Sequence, residues 1–166
     1  MTPKARIFLA LMVPLVLADC TTKQLVLAEL EPHMPHPVFG EYLRFTLAFN
    51  PDAAFGFTLG VNSRWAFGTL AVVAIAVMLR FLRDTAPADR IRAAALALVA
   101  GGAAGNLLDR LRTGRGVVDF IDVGIGAHRF YVFNLADVGV TAGAILLALA
   151  LWRAPSEDPP ADSTPC

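Results

Sequence analysis

The stretch "IFLALMVPLVLADCTTKQLVL" (residues 7–27) is compatible with two very different kinds of protein. An apolar run that ends just before a cysteine is typical of a leader that is removed so that the cysteine, here Cys20, becomes a lipid-carrying first residue. Two features argue against that interpretation. Asp19 stands where such a leader needs a small neutral residue, and Lys23 follows four residues later, on the same face of a continuing helix. The stretch therefore predicts an uncleaved membrane helix that continues past Cys20 and carries a buried ion pair.

Three more apolar segments follow, at about residues 65–82, 91–108 and 134–152. Each is close to the roughly 20 residues that cross a hydrocarbon core as a helix, and the first segment exceeds the roughly 7–15 apolar residues of a signal peptide. With 56% hydrophobic residues, the chain is also more apolar than a soluble domain of this size needs to be. We predict an all-α membrane protein with four transmembrane helices.

The connecting segments are more polar than the four helices. Residues 28–64 and 109–133 are predicted to form outward-facing loops, and "YLRFTLAFN" (residues 42–50) has the aromatic and β-branched content of strands. Residues 154–166 are rich in Pro, Asp and Ser, which predicts a disordered cytoplasmic tail. We predict that residues 1–153 form a single membrane domain.

Basic residues near the helix ends predict the orientation, because they concentrate on the cytoplasmic side of a membrane. They precede the first helix, fill the connection between the second and third helices, and follow the fourth: Lys4, Arg6, Arg80, Arg83, Arg90, Arg92 and Arg153. Both chain ends are therefore expected in the cytoplasm. The opposite side also holds arginines, which suggests a local task for them, although loop arginines are more often simply solvated: Arg110, Arg112, Arg115 and Arg129.

Composition and motifs exclude several function classes. The balance of 14 basic against 14 acidic residues, with no basic block, argues against a nucleic-acid partner. The three serines lie in no motif, and Cys20 has no histidine at helical spacing, so nucleophilic catalysis by either residue type is not expected. Pro35 prevents a helix from aligning His33 with His36, and zinc-binding spacings are missing. We predict neither a metal nor a cofactor.

The aspartates near the outer helix ends are the stronger candidates. Asp119 lies in the apolar stretch "VVDFID" (residues 117–122), and Asp137 lies in the first turn of the fourth helix. Two carboxyl groups that meet at close range cannot both ionise, so they would share one proton and could hydrolyse a peptide without a covalent intermediate. Alternatively, Asp137 only caps its helix. Asp122 is expected to be a turn residue.

The third helix ends in the polar stretch "GGAAGNLLDR" (residues 101–110). Gly101 and Gly105 form a GxxxG pattern, which is typical of close helix packing. Asn106 and Arg110 are four residues apart, so both can point inward and bind carboxylates or substrate carbonyl groups.

Five blocks taken together resemble the type II signal peptidases of bacteria, which process lipoproteins. They are "DCTTK" (19–23), "FNPDAAFG" (49–56), "GGAAGNLLDR" (101–110), "VVDFID" (117–122) and "FNLAD" (133–137). The resemblance implies an intramembrane aspartyl protease of the cytoplasmic (inner) membrane, with four helices, an extracytoplasmic β-cradle and a short surface helix. Such an enzyme cuts before the lipidated cysteine of diacylglyceryl-modified prolipoproteins, near the extracytoplasmic face, and is inhibited by globomycin. A monomer in contact with membrane lipid is expected.

The resemblance also implies roles for individual residues. The catalytic pair falls on Asp119 and Asp137. Asp52 stands where the family usually has a glycine, so the backbone of this loop and its substrate contacts are an open question. The supporting or substrate-binding residues fall on Asp19, Lys23, Asn50, Gly102, Asn106, Asp109, Arg110, Asn134 and Ala136.

A non-enzymatic four-helix membrane protein, such as a transporter subunit, is the alternative. Its ionisable residues would mark a pathway and should be distributed through the depth of the bilayer. In a protease of the proposed kind they should gather at one end of the helices.

Overall fold

The computed structural model describes residues 1–51 and 63–152, which form four helices and a small sheet. The helices are α1 (Pro3–Glu29), α2 (Ser63–Asp84), α3 (Arg90–Arg112) and α4 (Leu135–Trp152). All four are long and apolar enough to cross a membrane. The predicted fold class, four membrane-type helices with a small sheet, is confirmed. The implied short surface helix is not among the elements of the described ranges, and the tail at 154–166 lies outside them.

The third helix lies at the centre of the bundle and packs against each of the other three helices. Small residues allow this close approach. Gly101 faces the backbone of Met12 in α1, and a Cβ at Gly102 would collide with the carbonyl oxygen of Ala136 in α4. The close packing predicted for the glycine pattern is therefore present, and it brings the polar end of α3 against both α1 and α4.

The sheet consists of β1 (Pro35–Phe39), β2 (Leu43–Asn50), β3 (Val117–Ile125) and β4 (His128–Arg129), in that order and antiparallel. The strand predicted at 42–50 is thus confirmed as β2. The pairing of β2 with β3 shifts between Phe45 and Ala48, so that Ala48 lies opposite Asp119. The sheet packs on the end of α1 through Val26 and Leu47.

The expectation for Asp122 was wrong, because this residue lies within β3 and not in a turn. Its carboxylate forms an ion pair with Arg129, with a distance of 2.7 Å between Oδ1 and Nε, and accepts a hydrogen bond from Thr46. Arg129 also donates to the carbonyl oxygen of Glu41. This arginine therefore has a local structural role, as its position suggested: it joins β4 to β3 and to the turn before β2.

The beginning of α1 is joined to the end of α2. The Nζ atom of Lys4 donates hydrogen bonds to the carbonyl oxygens of Arg83 and Thr85. These bonds satisfy carbonyl groups that a helix end leaves without partners. The predicted basic end of the bundle is thus tied together, and the polar residues of α3 and α4 that follow lie at the opposite end.

Candidate active site

Asp119 projects from β3 into the space beside α4 and is only 3% exposed. Its Oδ1 accepts a hydrogen bond of 2.6 Å from the side-chain amide of Asn134. Its Oδ2 accepts one of 3.2 Å from the side-chain amide of Asn50, which lies at the end of β2. Both oxygens of this carboxyl group therefore have amide donors.

Asp137 is fixed by a reciprocal cap at the start of α4. The backbone N–H of Asp137 donates to Oδ1 of Asn134 at 2.9 Å, and the backbone N–H of Asn134 donates to Oδ2 of Asp137 at 3.2 Å. This is the geometry of a capping box, in which two residues three apart satisfy each other's orphan N–H groups. The cap and the candidate catalytic role are therefore compatible within one side chain.

Asn106 of α3 connects the two aspartates to a buried charge. Its side-chain Nδ2 donates to Oδ1 of Asp137 at 2.8 Å, so it points inward as predicted. Its Oδ1 accepts one hydrogen bond from Lys23 Nζ and another from Asn134 Nδ2, each at 3.0 Å. Asn134 thus contacts Asp119, Asp137 and Asn106 at the same time.

Lys23 lies at the centre of a buried ion cluster. Its Nζ is 2.8 Å from Oδ2 of Asp19 and 2.9 Å from Oδ2 of Asp109, and its side chain is 1% exposed. The ion pair predicted from the spacing of Asp19 and Lys23 is present, but the sequence did not reveal Asp109 as a second partner. The carboxylates also accept backbone N–H groups, Asp19 from Ala136 and Asp109 from Val118. The cluster therefore joins α1 and α3 to the segments that carry both candidate catalytic aspartates.

The surroundings of Asp119 favour its protonated form. Burial raises the pKa of its carboxyl group to about 7, and the negative charge of Asp137 acts in the same direction. The hydrogen bonds from Asn50 and Asn134 and the charge of Lys23 oppose this rise in pKa. A carboxyl group with such a pKa can hold or release a proton near neutral pH.

A cavity of about 820 Å³ opens beside the two aspartates. Its polar part is lined by Asn50, Asn106, Arg110, Asp119 and Asp137. Its apolar wall follows one stripe of α4: Val138, Thr141, Ala142 and Ile145. The sequence analysis did not identify this stripe, although its i, i+3, i+4, i+7 spacing was a readable signal. The cavity therefore combines acid–base groups with an apolar surface along a membrane-type helix.

The structure brings the predicted supporting residues together around the aspartates. Gly102 has no side chain, which allows α4 to pack closely against α3, and the backbone N–H of Ala136 donates a hydrogen bond to Asp19. Arg110 lines the cavity, and its Nη1 donates to the carbonyl oxygen of Asn106 at 3.2 Å. Asp52, the departure from the family pattern, lies outside the described residues. The capping box was missed, although "NLAD" (residues 134–137) offered an N-cap residue followed three positions later by a carboxylate.

The structure combines four membrane-type helices with two carboxyl groups at one end of the bundle, and both groups accept hydrogen bonds from amide N–H groups. This is the organisation of a membrane aspartic peptidase. Comparison with known proteins names the family. The family model described as "Signal peptidase (SPase) II" matches residues 11–153. The chain belongs to this family of aspartic peptidases, and it is a multi-pass bacterial membrane enzyme.

Several known proteins are similar to this chain over most of its length. A "Lipoprotein signal peptidase" of Ectopseudomonas mendocina is 40% identical over 149 residues, which are 88% of this chain and 88% of that protein. One of Geobacter metallireducens is 38% identical over 157 residues, covering 92% and 94%. A solved structure described as a bacterial membrane enzyme superimposes with a TM-score of 0.79 at 28% identity, covering 91% of this chain and 93% of its own.

Proposed function

We propose that Asp119 and Asp137 are the catalytic pair with which this chain removes signal peptides from prolipoproteins. The observation that carries the proposal is the hydrogen-bond network of the two carboxyl groups. Each of their four oxygens accepts a hydrogen bond from an amide N–H, and one residue, Asn134, contacts both groups. Such a network holds two acids in a fixed geometry at the mouth of a cavity, as general acid–base catalysis requires.

The proposed reaction uses one ionised and one protonated aspartate. The ionised group takes a proton from a water molecule, whose oxygen adds to the carbonyl carbon of the scissile bond. The protonated group gives its proton to the carbonyl oxygen. In the second step the newly protonated group gives its proton to the leaving nitrogen, the other group recovers a proton from a hydroxyl of the intermediate, and the C–N bond breaks. The pair ends in its initial state, with one proton.

The cavity also supports a finer statement about the substrate. The stripe of α4 formed by Val138, Thr141, Ala142 and Ile145 continues from the aspartates along the membrane-type helix. We infer that the diacylglyceryl chains of a lipid-modified prolipoprotein lie along this stripe within membrane lipid. Asn50, Asn106 and Arg110 would then bind the extended peptide beside the pair.

The distribution of charge favours the peptidase over a transport function. The ionisable groups in the interior of the bundle lie in the second half of α1, at the end of α3 and in the first turn of α4: the buried Asp19, Lys23, Asp109 and Arg110 and the half-buried Asp137. The basic residues of the other end include Lys4 and Arg83. By the positive-inside tendency, we infer cytoplasmic chain ends and an active site near the extracytoplasmic face.

The test is cleavage of a diacylglyceryl-modified prolipoprotein by the purified full chain in detergent. Asp119→Asn and Asp137→Asn should each reduce kcat by at least about a thousandfold, because a carboxamide can neither take the proton of water nor exchange roles during the cycle. Both proteins should still insert into the membrane.

Asp122→Asn is the matched control. Asp122 lies on the same strand as Asp119, but it pairs with Arg129 and does not line the cavity. This variant should retain most of its activity. Full cleavage by either variant of the pair would contradict the proposal, as would equal losses in all three proteins.

A further inference from the structure

The sheet forms a second wall of the cavity, and this wall carries Asp119. The side-chain amide of Asn50, at the end of β2, donates to Oδ2 of Asp119 on β3, so these two side chains lie on the same face of the sheet. Ala48 is two residues before Asn50 and directly opposite Asp119 in the strand register, which places its methyl group on that face as well. All three residues line the cavity.

Ala48 is the direct cross-strand neighbour of Asp119. Residues that are paired across two antiparallel strands have Cβ atoms about 4.5–5.5 Å apart. A substrate group that hydrogen-bonds to Asp119, at about 3 Å, therefore approaches the sheet beside position 48. The register shift between Phe45 and Ala48 produces this pairing. The size of the side chain at position 48 thus determines how much space is left beside the carboxyl group.

The neighbouring residue of β3 gives the same wall a second apolar group. Val117 is two residues before Asp119, pairs with Asn50 and lines the cavity. It is β-branched, so its side chain has little freedom to turn away within a strand. The sheet wall around Asp119 therefore has a small apolar position on β2 and a stiff apolar position on β3.

The two walls of the cavity receive different parts of a bound substrate. Asp119 belongs to the sheet wall and Asp137 to the α4 wall, and in the proposed reaction the scissile bond lies between their carboxyl groups. The nitrogen of that bond belongs to the lipid-bearing cysteine, whose acyl chains the proposed function places along the α4 stripe. The carbonyl group belongs to the preceding residue, whose side chain consequently lies on the sheet wall.

We propose that Ala48 is a specificity-determining residue, whose methyl group limits the size of the substrate side chain immediately before the cleaved bond. This inference rests on the proposed function, because it uses the catalytic pair and the lipid position assigned there. It adds the chemical class of the residue on the carbonyl side of the bond: a small, uncharged side chain that fits between Ala48 and Val117.

The first test compares lipid-modified precursors that differ only in the residue before the cysteine, which is glycine, alanine or valine. Ala48→Val fills part of the space in which this substrate side chain lies. The kcat/KM of the alanine precursor, divided by that of the glycine precursor, should fall about 10- to 200-fold below its wild-type value, the range for a methylene-sized change in an apolar pocket.

Ala48→Gly enlarges the same space and tests the proposal in the opposite direction. The kcat/KM of the valine precursor, divided by that of the alanine precursor, should rise at least about tenfold. A ratio of two precursors cut by one enzyme preparation does not depend on the fraction of enzyme that is folded. A merely structural role of Ala48 would lower the rates for all precursors by the same factor and leave the ratios unmoved.

Ala142→Val is the matched control, because it makes the same substitution on the other wall. Ala142 lies in the α4 stripe and lines the same cavity. This variant should keep the wild-type ratio of alanine to glycine precursor, and it should change the ratio between precursors with long and short acyl chains. Ala48→Val should do the reverse, since the two positions contact separate parts of the substrate.

An active Ala48 variant that keeps the wild-type side-chain ratios would overturn the assignment. So would loss of all cleavage in both Ala48 variants, or an equal change of the alanine-to-glycine ratio in Ala142→Val. The proposed function survives these outcomes as long as wild-type cleavage still depends on Asp119 and Asp137. A wild-type protein that cuts none of the lipid-modified precursors would refute the proposed function and this inference together.

Discussion

The carboxyl group of Asp119 binds its proton more tightly in the folded protein than an aspartate does in an unfolded chain. Its pKa of about 7 exceeds the ordinary value of 3.8, chiefly because of burial. Such a group stabilises the folded protein fully at pH values below 3.8, and this stabilisation is lost as pH rises through about 7. The difference between the two pKa values corresponds to a contribution of about 4 kcal/mol at most to the free energy of unfolding.

Asp119→Asn should therefore become more stable relative to the wild type as pH rises from about 5 to about 8, because asparagine mimics the protonated group and cannot ionise. Thermal midpoints of both proteins in the same detergent, measured across this range, check the prediction. A difference between the midpoints that is constant with pH would contradict it. Such a result would mean that Asp119 binds its proton no more tightly when folded.

Cys20 is a half-buried free thiol within α1, which continues to Glu29. Cys20→Ala should therefore leave localisation and activity unchanged and should alter the intact mass only by the difference between the side chains. Mass spectrometry of both membrane-extracted proteins provides the measurement. A mature form that begins at Cys20 and carries lipid would refute the four-helix interpretation of the first segment.

Among the elements, the contact between α3 and α4 depends most clearly on a missing side chain. A Cβ at Gly102 would lie within 3 Å of the Val140 side chain and would collide with the carbonyl oxygen of Ala136, whose N–H binds Asp19. Gly102→Ala should therefore cost about 1–3 kcal/mol of stability and lower activity, because α4 carries Asp137.

The matched control is Gly68→Ala in α2, where a Cβ would meet, among the residues that the structure describes, only the Leu107 side chain at an ordinary 3.9 Å. This substitution should be neutral or slightly stabilising, because alanine favours a helix more than glycine does. Thermal midpoints and cleavage rates of both variants form the comparison. Similar losses in the two proteins would show that the space between α3 and α4 is not the determining factor.

Local patterns in the sequence predicted most of the elements and failed where partners come from distant segments. The ion pair of Asp19 with Lys23 followed from helical spacing, and β2 followed from residue content. The role of Asp109 could not be predicted in this way, because its contact with Lys23 requires α1 and α3 to lie side by side. Asp122 was misassigned for a similar reason, since its partner Arg129 reaches it only after β3 and β4 have paired.

At the scale of the whole molecule, the apolar stretches predicted four helices, and the order of the five sequence blocks implied the family. The sequence could not show that the polar blocks converge, because residues from 19 to 137 meet only when α3 packs between α1 and α4. The cavity is likewise a property of the assembled chain, since its walls come from β2, α3, β3 and α4.

The lipid of the substrate should determine the rate of cleavage. In the proposed binding mode a precursor without diacylglyceryl chains lacks the contact with the apolar stripe of α4, to which each buried CH₂ would contribute about 0.8 kcal/mol. It should therefore be cut far more slowly than the lipid-modified precursor at equal concentration. Rates for both precursors, measured with the same enzyme preparation, make the comparison, and equal rates would remove the proposed requirement for lipid.

The rate should also pass through a maximum as pH varies. In the proposed mechanism one carboxyl group is ionised and the other protonated, so activity should fall on both sides of the maximum, with apparent pKa values that belong to the pair. Because the pKa of Asp119 is about 7, the alkaline decline should begin near neutral pH. A pH–rate series with the lipid-modified precursor checks this, and a flat profile would exclude a shared-proton mechanism.

The mutual hydrogen bonds of Asn106, Asn134, Asp119 and Asp137 also limit how a bacterium could evolve resistance to an inhibitor of this enzyme. A compound that binds only the two carboxyl groups and their asparagines contacts side chains that hydrogen-bond to one another, so a substitution at any of them should impair the enzyme together with drug binding. A compound that depends on the α4 stripe is more vulnerable, because Thr141 and Ala142 can change in size without touching the acid pair. Selection under drug should therefore enrich substitutions along α4 before any at the amides.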